Sequence, residues 1–593
     1  MELARKPRER VDYTDLLRDT DGKPFASKQQ LADAVNREFV TAAAACGAPV
    51  PARARCRAHM AEWRDASDTS IRLIPFTLAE INVILKTAIA SKNSTDIYGL
   101  SASLLRQAGF AISFVLSHLF NDCMKSGVYP DGLKKVKICP LYKGKGQKSA
   151  VKSYRPISLV PGPSKCFEVG LNRRLLEYWF PRNVLSNCQY AYRRGRSTTD
   201  LVREVVRDVL RAREAGRHVA AICCDLSRAF DTADHTLVAE KLAHCGIRGP
   251  ALSLLLSFMT ERTQVVCGEN GQISSAEMQN LMGVPQGSCL SNTLFSLLLN
   301  DLPRAINGAS IYMYADDVTA VVSTPSAREL EGALNSVVGQ LQDWFKSNGL
   351  ALNKEKTCFI TFKLNGHPTQ NLKVSAGDAQ IQHVTCTRLL GFHLDGALVW
   401  DTHIDEVCGR LGRACFALRR LARTAGRAAV RDCYFATVHS LLTYGTELWG
   451  RSSDWQRVFS MQKRAVRAMA GVPDDTSARE LFKEFHILPL PCLYLYQVAM
   501  FTYGHIDEFK RRGTNPRYSL RSNKYEYRLS TISHKLAKTE RSVYYLGPSV
   551  YNRLPSTVRN AASAQSFKSR LKSWLEENNF YNYQDFFNLP LAV

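Results

Sequence analysis

The chain has 593 residues, and its 78 Lys and Arg against 54 Asp and Glu leave a formal net charge of +24 and an isoelectric point near 9.4. It is long enough to bury several cores, and the charge calls for a polyanionic partner; with no long apolar run and no apolar core behind Met1-Glu2-Leu3-Ala4-Arg5-Lys6-Pro7-Arg8, nucleic acid is favoured over a membrane and a signal peptide is not expected. The 17 cysteines are scattered and form no Cys-x-x-Cys pair, so reduced core thiols are expected rather than a disulfide scaffold, and Cys408 and Cys415 with His403 and His439 match no zinc spacing.

Residues 1–70 are Ala-rich and interrupted by proline, with a helix expected over 29–43, and read as a linker or extension. From Ser101 to Met124, Leu104, Leu105, Ile112, Val115, Leu116, Leu119 and Phe120 recur at helical spacing, and Gly127 and Pro130 stop the pattern, as in a packing helix. Alternating Lys and apolar residues from Leu133 to Leu141, followed by Ser153 to Leu159, predict a strand pair with one basic face. Gln189-Tyr190-Ala191-Tyr192-Arg193-Arg194-Gly195-Arg196-Ser197 opens a capped helix, so Arg193, Arg194 and Arg196 form a corner suited to nucleic-acid phosphates.

Val219 to Cys224 reads as a buried strand ending at Asp225. Gly283-Val284-Pro285-Gln286-Gly287-Ser288 is a loop whose backbone can approach a ligand closely, ahead of a buried helix. Two apolar runs, Ile311 to Met313 and Val318 to Val322, flank Tyr314-Ala315-Asp316-Asp317, giving strand, tight turn and strand with two adjacent carboxylates at the tip. Neighbouring anions repel and each loses hydration beside an apolar sheet, so the pair calls for a divalent metal, Mg²⁺ fitting best, and Asp225 supplies the third acid that a two-metal site needs. Ser326-Ala327-Arg328-Glu329 begins a helix whose apolar stripe should lie beneath this sheet.

Leu389 to Asp395 is a hairpin candidate. Beyond Thr402 the sequence turns helical, and Arg410, Arg413, Arg419, Arg420, Arg423, Arg427 and Arg431 lack matching acids in that stretch, which favours a duplex backbone over a solvated face. The tail carries a basic, tyrosine-containing run (Lys510-Arg511-Arg512, Arg517-Tyr518, Lys524-Tyr525, Tyr527-Arg528) suited to stacking on single-stranded RNA.

Asp225-Leu226-Ser227-Arg228-Ala229-Phe230-Asp231, Gly283-Val284-Pro285-Gln286-Gly287 and Tyr314-Ala315-Asp316-Asp317, in that order, resemble the polymerase of non-LTR, LINE-like retrotransposons near the jockey group. The resemblance is strong over about 130–470 and departs from the family's Gly-Phe at Ala191-Tyr192. It implies an α/β right-hand polymerase: fingers over 71–217, an antiparallel-sheet palm over 218–385, a primer-grip hairpin and helical thumb over 386–475, and a helical, basic C-terminal domain over 476–593. Asp225, Asp316 and Asp317 would hold two Mg²⁺ ions, with Mn²⁺ able to substitute, and Lys356 would protonate the leaving pyrophosphate. Lys143 and Arg155 would contact the incoming triphosphate, Gln286 and Gly287 the nucleotide and templating base, and Phe230 would exclude a 2′-hydroxyl. Arg193, Arg194, Arg196, Arg410, Arg413 and Arg420 would follow the nucleic-acid backbone, while Asp231 caps backbone amides.

The implied partners are template RNA, a DNA primer or target DNA and dNTPs, in a cytoplasmic ribonucleoprotein and the nucleus, with no membrane. The apurinic-type endonuclease that precedes such a linker in the family has no motifs in this sequence. Two alternatives stay open: a non-catalytic RNA-binding remnant of a mobile element, and a palm-type RNA-dependent RNA polymerase, against which Phe230 and the flanking motifs count.

Overall fold

Residues 17–18, 23–45, 47, 49–61, 70–89, 95–144, 146–268, 274–363, 372–513, 529–531 and 534–589 are described by a computed structural model of the chain. The stretch read as a linker contributes two packed helices, α1 (Lys28–Ala45) and α2 (Arg53–Ala61). Leu31, Val35 and Phe39 share a small core with Val136, Ile138 and Val266. Beside them the buried Asn36 amide donates to Ser275 Oγ and the Ala276 carbonyl, both at 2.9 Å. Cys56 and Met60 enter the main core. Alanine-rich composition hides this packing, which a few large side chains at i, i+4 spacing carry.

α3 (Leu78–Thr87) and α4 (Ala102–Ser126) follow. α4 begins under the Ser101 side-chain cap, breaks at Gly109 (φ 48°, ψ −118°) and ends at Gly127 in the left-handed conformation. It is long and apolar enough to cross a bilayer, which the sequence reading did not anticipate, and Phe110, Phe114 and Val115 are exposed. Its opposite face is buried in the main core, where Phe120 lies against Phe76 and Phe167, as in a packing helix.

β1 (Val136–Tyr142) pairs antiparallel with β2 (Tyr154–Leu159), and α5 (Gly162–Trp179) and α6 (Thr198–Glu214) lead to β3 (His218–Cys224). After α7 (His235–His244) and α8 (Pro250–Met259), β4 (Arg262–Val266) joins β1 in parallel and β5 (Met278–Asn280) completes a four-stranded sheet, β2-β1-β4-β5. A five-stranded sheet, β9-β8-β3-β7-β6, is formed by β3, β6 (Ala309–Tyr314), β7 (Asp317–Thr324), β8 (Cys358–Phe362) and β9 (Gln382–Val384). α9 (Cys289–Leu298) precedes β6, and α10 (Ala327–Ser347) follows β7. The expected antiparallel sheet is antiparallel except at β9, which runs parallel to β8.

β3 is uniformly apolar from Val219 to Cys224 because both its faces are covered. Val219 and Ala221 join a core with Val205 and Val209 of α6, whereas Ala220 and Ile222 join another with Leu334 and Val337 of α10. Alternate residues thus feed different cores, and a strand buried on two sides loses the in/out polarity of a half-exposed one.

The hairpin of β10 (Cys386–Leu389) and β11 (Phe392–Asp395) turns on Leu390 (φ 48°) and Gly391 (φ 88°). The remaining long helices, among them α11 (Asp401–Leu421), α12 (Arg427–Tyr434), α13 (Trp455–Ala470), α14 (Leu490–Gly504), α15 (Val543–Arg553) and α16 (Ala564–Asn578), share the core that covers α6 and this hairpin. The arginine-rich run is therefore two helices. Part of its charge is matched by acids brought from outside the spacing visible in sequence: Arg419 pairs with Asp474 at 3.0 Å and Arg427 with Glu484 at 2.9 Å. Of the basic tail, residues 514–528 lie outside the described residues.

Candidate active site

β3 and β7 run antiparallel with Cys224 opposite Val318, so the chain carries Asp225 and Asp317 out of the same end of the sheet. The turn between β6 and β7 places Tyr314 across from Asp317 and holds Ala315 at φ 54°. A left-handed conformation is costly for a residue with a Cβ, and a side chain not singled out in the sequence holds it. Gln189 is 1% exposed, and its Oε1 accepts from the Ala191 and Ala315 N–H groups at 3.0 and 3.1 Å. Residues 188–190 run beside β6, with Tyr190 N–H donating to the Met313 carbonyl and Met313 N–H to the Cys188 carbonyl, each at 2.8 Å. The segment before the arginine corner is thereby built into the sheet edge beside the carboxylates.

Burial raises the Asp316 pKa, Asp225 adds to that rise and Arg155 opposes it. Asp317 reaches solvent on a crowded surface, and burial, then Asp316, then Asp225 push its pKa up to about 6. Among the described residues no three Asp, Glu, His or Cys side chains are closed into a ligand cluster. Instead Lys356 Nζ donates to Asp225 Oδ2 at 3.2 Å, from a turn clasped to the same aspartate by Asn353 N–H donating to its carbonyl at 2.8 Å. Two crowded carboxylates with raised pKa values and a third that draws in a lysine form an all-oxygen donor set whose repulsion a hard divalent cation would relieve, so these residues fit such an ion.

A cationic rim faces the acids. Burial, followed by Arg228, Arg155 and Lys356, lowers the Lys143 pKa, so four positive side chains share this cleft. Lys143 Nζ donates to the Lys152 carbonyl at 2.6 Å, and Arg155 is exposed. Arg228, which the motif reading passed over, sits at φ 49° in the turn after Asp225. Phe230 is backed by Phe295, the rings stacked 4.4 Å apart.

The glycine loop closes the site from another side. Gln286 Nε2 donates to Asp231 Oδ1 at 2.9 Å, while its carbonyl accepts from Ser158 N–H at 2.9 Å. Asp231 thus receives a side-chain amide rather than capping backbone; the adjacent cap is Asp234, which accepts from Leu237 N–H at 2.7 Å. Gly287 has φ 121°, and a Cβ there would meet the Ser158 carbonyl oxygen at 2.7 Å, so the loop admits only glycine. Ser288 caps α9 and donates to the fully buried Glu168 carboxylate, anchoring the loop to α5.

The arginine corner is partly spent on its own loop. Arg193 donates to the Ser186 carbonyl at 2.6 Å, and Arg196 to that of Asn187 at 3.0 Å while lying 4.7 Å over the Tyr190 ring. Arg194 alone of the three is exposed. Tyr192, also exposed, stands close enough to Asp316 that the carboxylate raises its pKa, after burial. Arg410, Arg413 and Arg420 are carried on α11; Arg410 faces Glu406 at 3.9 Å and Arg420 lies over Phe416. No hydrogen bond or ion pair among the described residues joins these three to the carboxylate cluster.

Residues 143–394, which contain Asp225, Asp316, Asp317 and the four rim cations, match the family described as "Reverse transcriptase (RNA-dependent DNA polymerase)". The chain is 25% identical over 454 residues to the probable RNA-directed DNA polymerase from transposon BS of Drosophila melanogaster, covering 74% of this chain and 49% of that protein. It is 24% identical over 432 residues to the RNA-directed DNA polymerase from mobile element jockey of the same organism, covering 70% and 46%. With a putative 115 kDa protein in its type-1 retrotransposable element R1DM, identity is 26% over 368 residues, covering 61% and 35%. The chain spans about half the length of the first two of these relatives.

Proposed function

We propose that this chain, which carries a reverse transcriptase domain over residues 143–394, is the RNA-directed DNA polymerase of a non-LTR retrotransposon, copying element RNA into cDNA from a primer 3′-hydroxyl. The observation that carries the reading is the meeting of Asp225, Asp316 and Asp317 with a rim of Lys143, Arg155, Arg228 and Lys356 inside that domain. In this reading the five-stranded sheet and its helices are the palm, β1, β2 and their neighbours the fingers, and the β10–β11 hairpin with α11–α13 the primer grip and thumb. The helices beyond 476 form the C-terminal domain, and the enzyme works with its RNA in a cytoplasmic ribonucleoprotein and in the nucleus.

Asp225, Asp316 and Asp317 would hold two divalent cations, Mg²⁺ or Mn²⁺, which when bound supply Lewis-acid charge at the reacting oxygens. The rim cations orient and neutralise the triphosphate. Phe230, kept in place by Phe295, sets an apolar wall at the sugar that disfavours a 2′-hydroxyl. As the primer 3′-oxygen bonds to the α-phosphorus and the bond to pyrophosphate breaks, Lys356 holds a proton at Nζ for the leaving oxygen. Template RNA, DNA primer and dNTPs are the substrates.

The test is incorporation of dNTPs on an RNA template annealed to a DNA primer, with Mg²⁺. Extension supports the reading; template-primer binding without extension under any divalent ion would favour the RNA-binding remnant. Phe230→Val is expected to raise rNTP incorporation relative to dNTP by about tenfold or more, since a pocket wall discriminates by ~1–3 kcal/mol. An unchanged ratio would remove Phe230 as the sugar gate.

Protons compete with metal for Asp317. With a raised pKa of about 6, the carboxylate is ionised and competent above that pH and is protonated below it. Metal-dependent extension should therefore fall as pH drops through about 6, and raising the Mg²⁺ concentration should move the midpoint lower. A midpoint indifferent to metal would contradict this.

Gln189→Leu leaves the Ala191 and Ala315 N–H groups without their acceptor, a cost of ~1–3 kcal/mol for each buried group. The expected result is a kcat lowered by about tenfold with KM for dNTP little changed, because the turn carrying Asp316 shifts while the triphosphate rim stays. A rise in KM alone would assign Gln189 to nucleotide binding.

A further inference from the structure

One well-formed cavity among the described residues lies away from the carboxylates. About 310 Å³ in volume, it lies between α6, the turn after β11, the short helix Thr446–Trp449 and the segment Lys538–Tyr544, at the lower end of the ~300–1,000 Å³ of ordinary ligand sites. One wall is apolar and partly flat, from Leu398, Trp400, Leu448 and Val543.

The other wall is cationic. Arg211, Arg451, Lys538 and Arg541 line it, and none of these makes an ion pair with an acid of the cavity. The two acids present are already partnered. Glu447 pairs with Arg203 at 3.2 Å, and Glu214 accepts from the Lys535 and Leu536 N–H groups and from Thr539 Oγ1. Arg203 is 92% buried in its side chain, lines the cavity, and has an Nε with no hydrogen-bond partner; the Nε of Arg207, also lining it, is likewise unpartnered. Asp395 and Asp401, on the neighbouring hairpin and helix, act on Lys538, but burial and Arg541 work against its charge. Arg203 is already paired with Asp200 and Glu447 and Arg207 with Glu204 and Glu508, so the charge left over in the cavity is that of Arg211, Arg451, Lys538 and Arg541. With the Trp400 ring and aliphatic side chains on the opposite wall, the site suits an anionic group joined to a planar ring.

We propose that this cavity binds one unpaired nucleotide of single-stranded RNA, its base against Trp400 and Leu448 and its phosphate toward Arg211, Lys538 and Arg541. The choice of RNA over a free nucleotide rests on the polymerase reading; the nucleoside-phosphate chemistry does not. Unpaired RNA bases are the ones that can be splayed into a pocket, and phosphate contacts supply the affinity. The site would tether the RNA at a point separate from the carboxylates, so that RNA is retained whether or not a primer is engaged.

The test uses the full chain carrying Asp317→Asn, without primer or dNTP, so it reads binding whatever the outcome of the extension assay. A labelled single-stranded RNA containing 4-thiouridine should cross-link to peptides carrying Leu398 to Trp400 or Val543 and Tyr544. Arg211→Glu/Arg541→Glu, both at exposed positions, should weaken RNA binding about tenfold and make the slope of log K against log salt shallower by about 1.4, as two single-strand phosphate contacts require. In the otherwise native protein the same pair should leave kcat on saturating template-primer unchanged. Cross-links confined to other peptides, or wild-type RNA affinity in the double variant, would overturn the proposal. So would uridine monophosphate protecting the cavity peptides while RNA does not, since the ligand would then be a free nucleotide.

Discussion

Asp317→Asn is expected to reduce dNTP incorporation by at least about 10³-fold, some 4 kcal/mol of barrier, with template-primer affinity retained. The substitution keeps the shape of the side chain and removes one charge from a cluster that already strains under three: burial and the neighbouring carboxylates together push the Asp317 pKa up to about 6. Removing that charge relieves the repulsion in the metal-free protein, so its thermal stability at neutral pH should hold or rise. The same change strips a ligand from the cation site, where the Lewis-acid charge for transfer would be held. Rate and stability should thus move in opposite directions. A variant that lost both together would point to misfolding, and one that kept its rate would remove Asp317 from the reaction.

Lys241→Ala is expected to destabilise the fold by ~3–5 kcal/mol, the cost of leaving a buried charge without its partner. Lys241 is fully buried, and its Nζ donates to Asp301 Oδ1 and the Leu298 carbonyl, both at 2.5 Å, and to Asn348 Oδ1 at 2.9 Å. The ammonium also lies 5.0 Å from the Trp344 ring centre. These contacts tie α7, the end of α9 and the end of α10 into one corner beneath the five-stranded sheet. Asp301 is itself fully buried, its second oxygen has no hydrogen-bond partner, and among the described residues Lys241 is the cation it pairs with. Thermal unfolding followed by circular dichroism reads the loss. Lys241→Met/Asp301→Leu should recover much of it, because replacing both members of a buried pair with apolar side chains removes the unpaired charge. A single variant that melts with the wild type would show the pair to be dispensable.

The residues legible in the sequence are those whose chemistry is local. Adjacent acids between two apolar runs, a Gly-Pro loop and a buried strand ending in Asp225 each carry their constraint within a few residues. Gln189 was invisible for the opposite reason: its Oε1 serves an amide 126 residues away, and nothing around Gln189 announces that Ala315 needs an acceptor. Glu168 holds Ser288 from 120 residues away in the same manner. The packing of α1 and the acids facing Arg419 and Arg427 belong to this class, since composition within a window says nothing about what another segment delivers. Asp231 was misread because a carboxylate just after a strand end usually meets backbone amides, whereas here the loop brings Gln286 to it first.

The two-sided burial of β3 also bears on which genetic changes this chain can absorb. A change between apolar residues leaves each side chain of this strand on its own layer, but one codon deleted or duplicated between His218 and Asp225 reverses the parity of the strand beyond it. The side chains on one side of the change would then be delivered to the wrong layer, and the register that pairs Cys224 with Val318, just behind Asp225 and Asp317, would be lost. Copying errors in this short stretch should therefore be tolerated as base changes between apolar codons and purged as length changes. On the proposed polymerase reading, a length change here would abolish activity with every aspartate still in place.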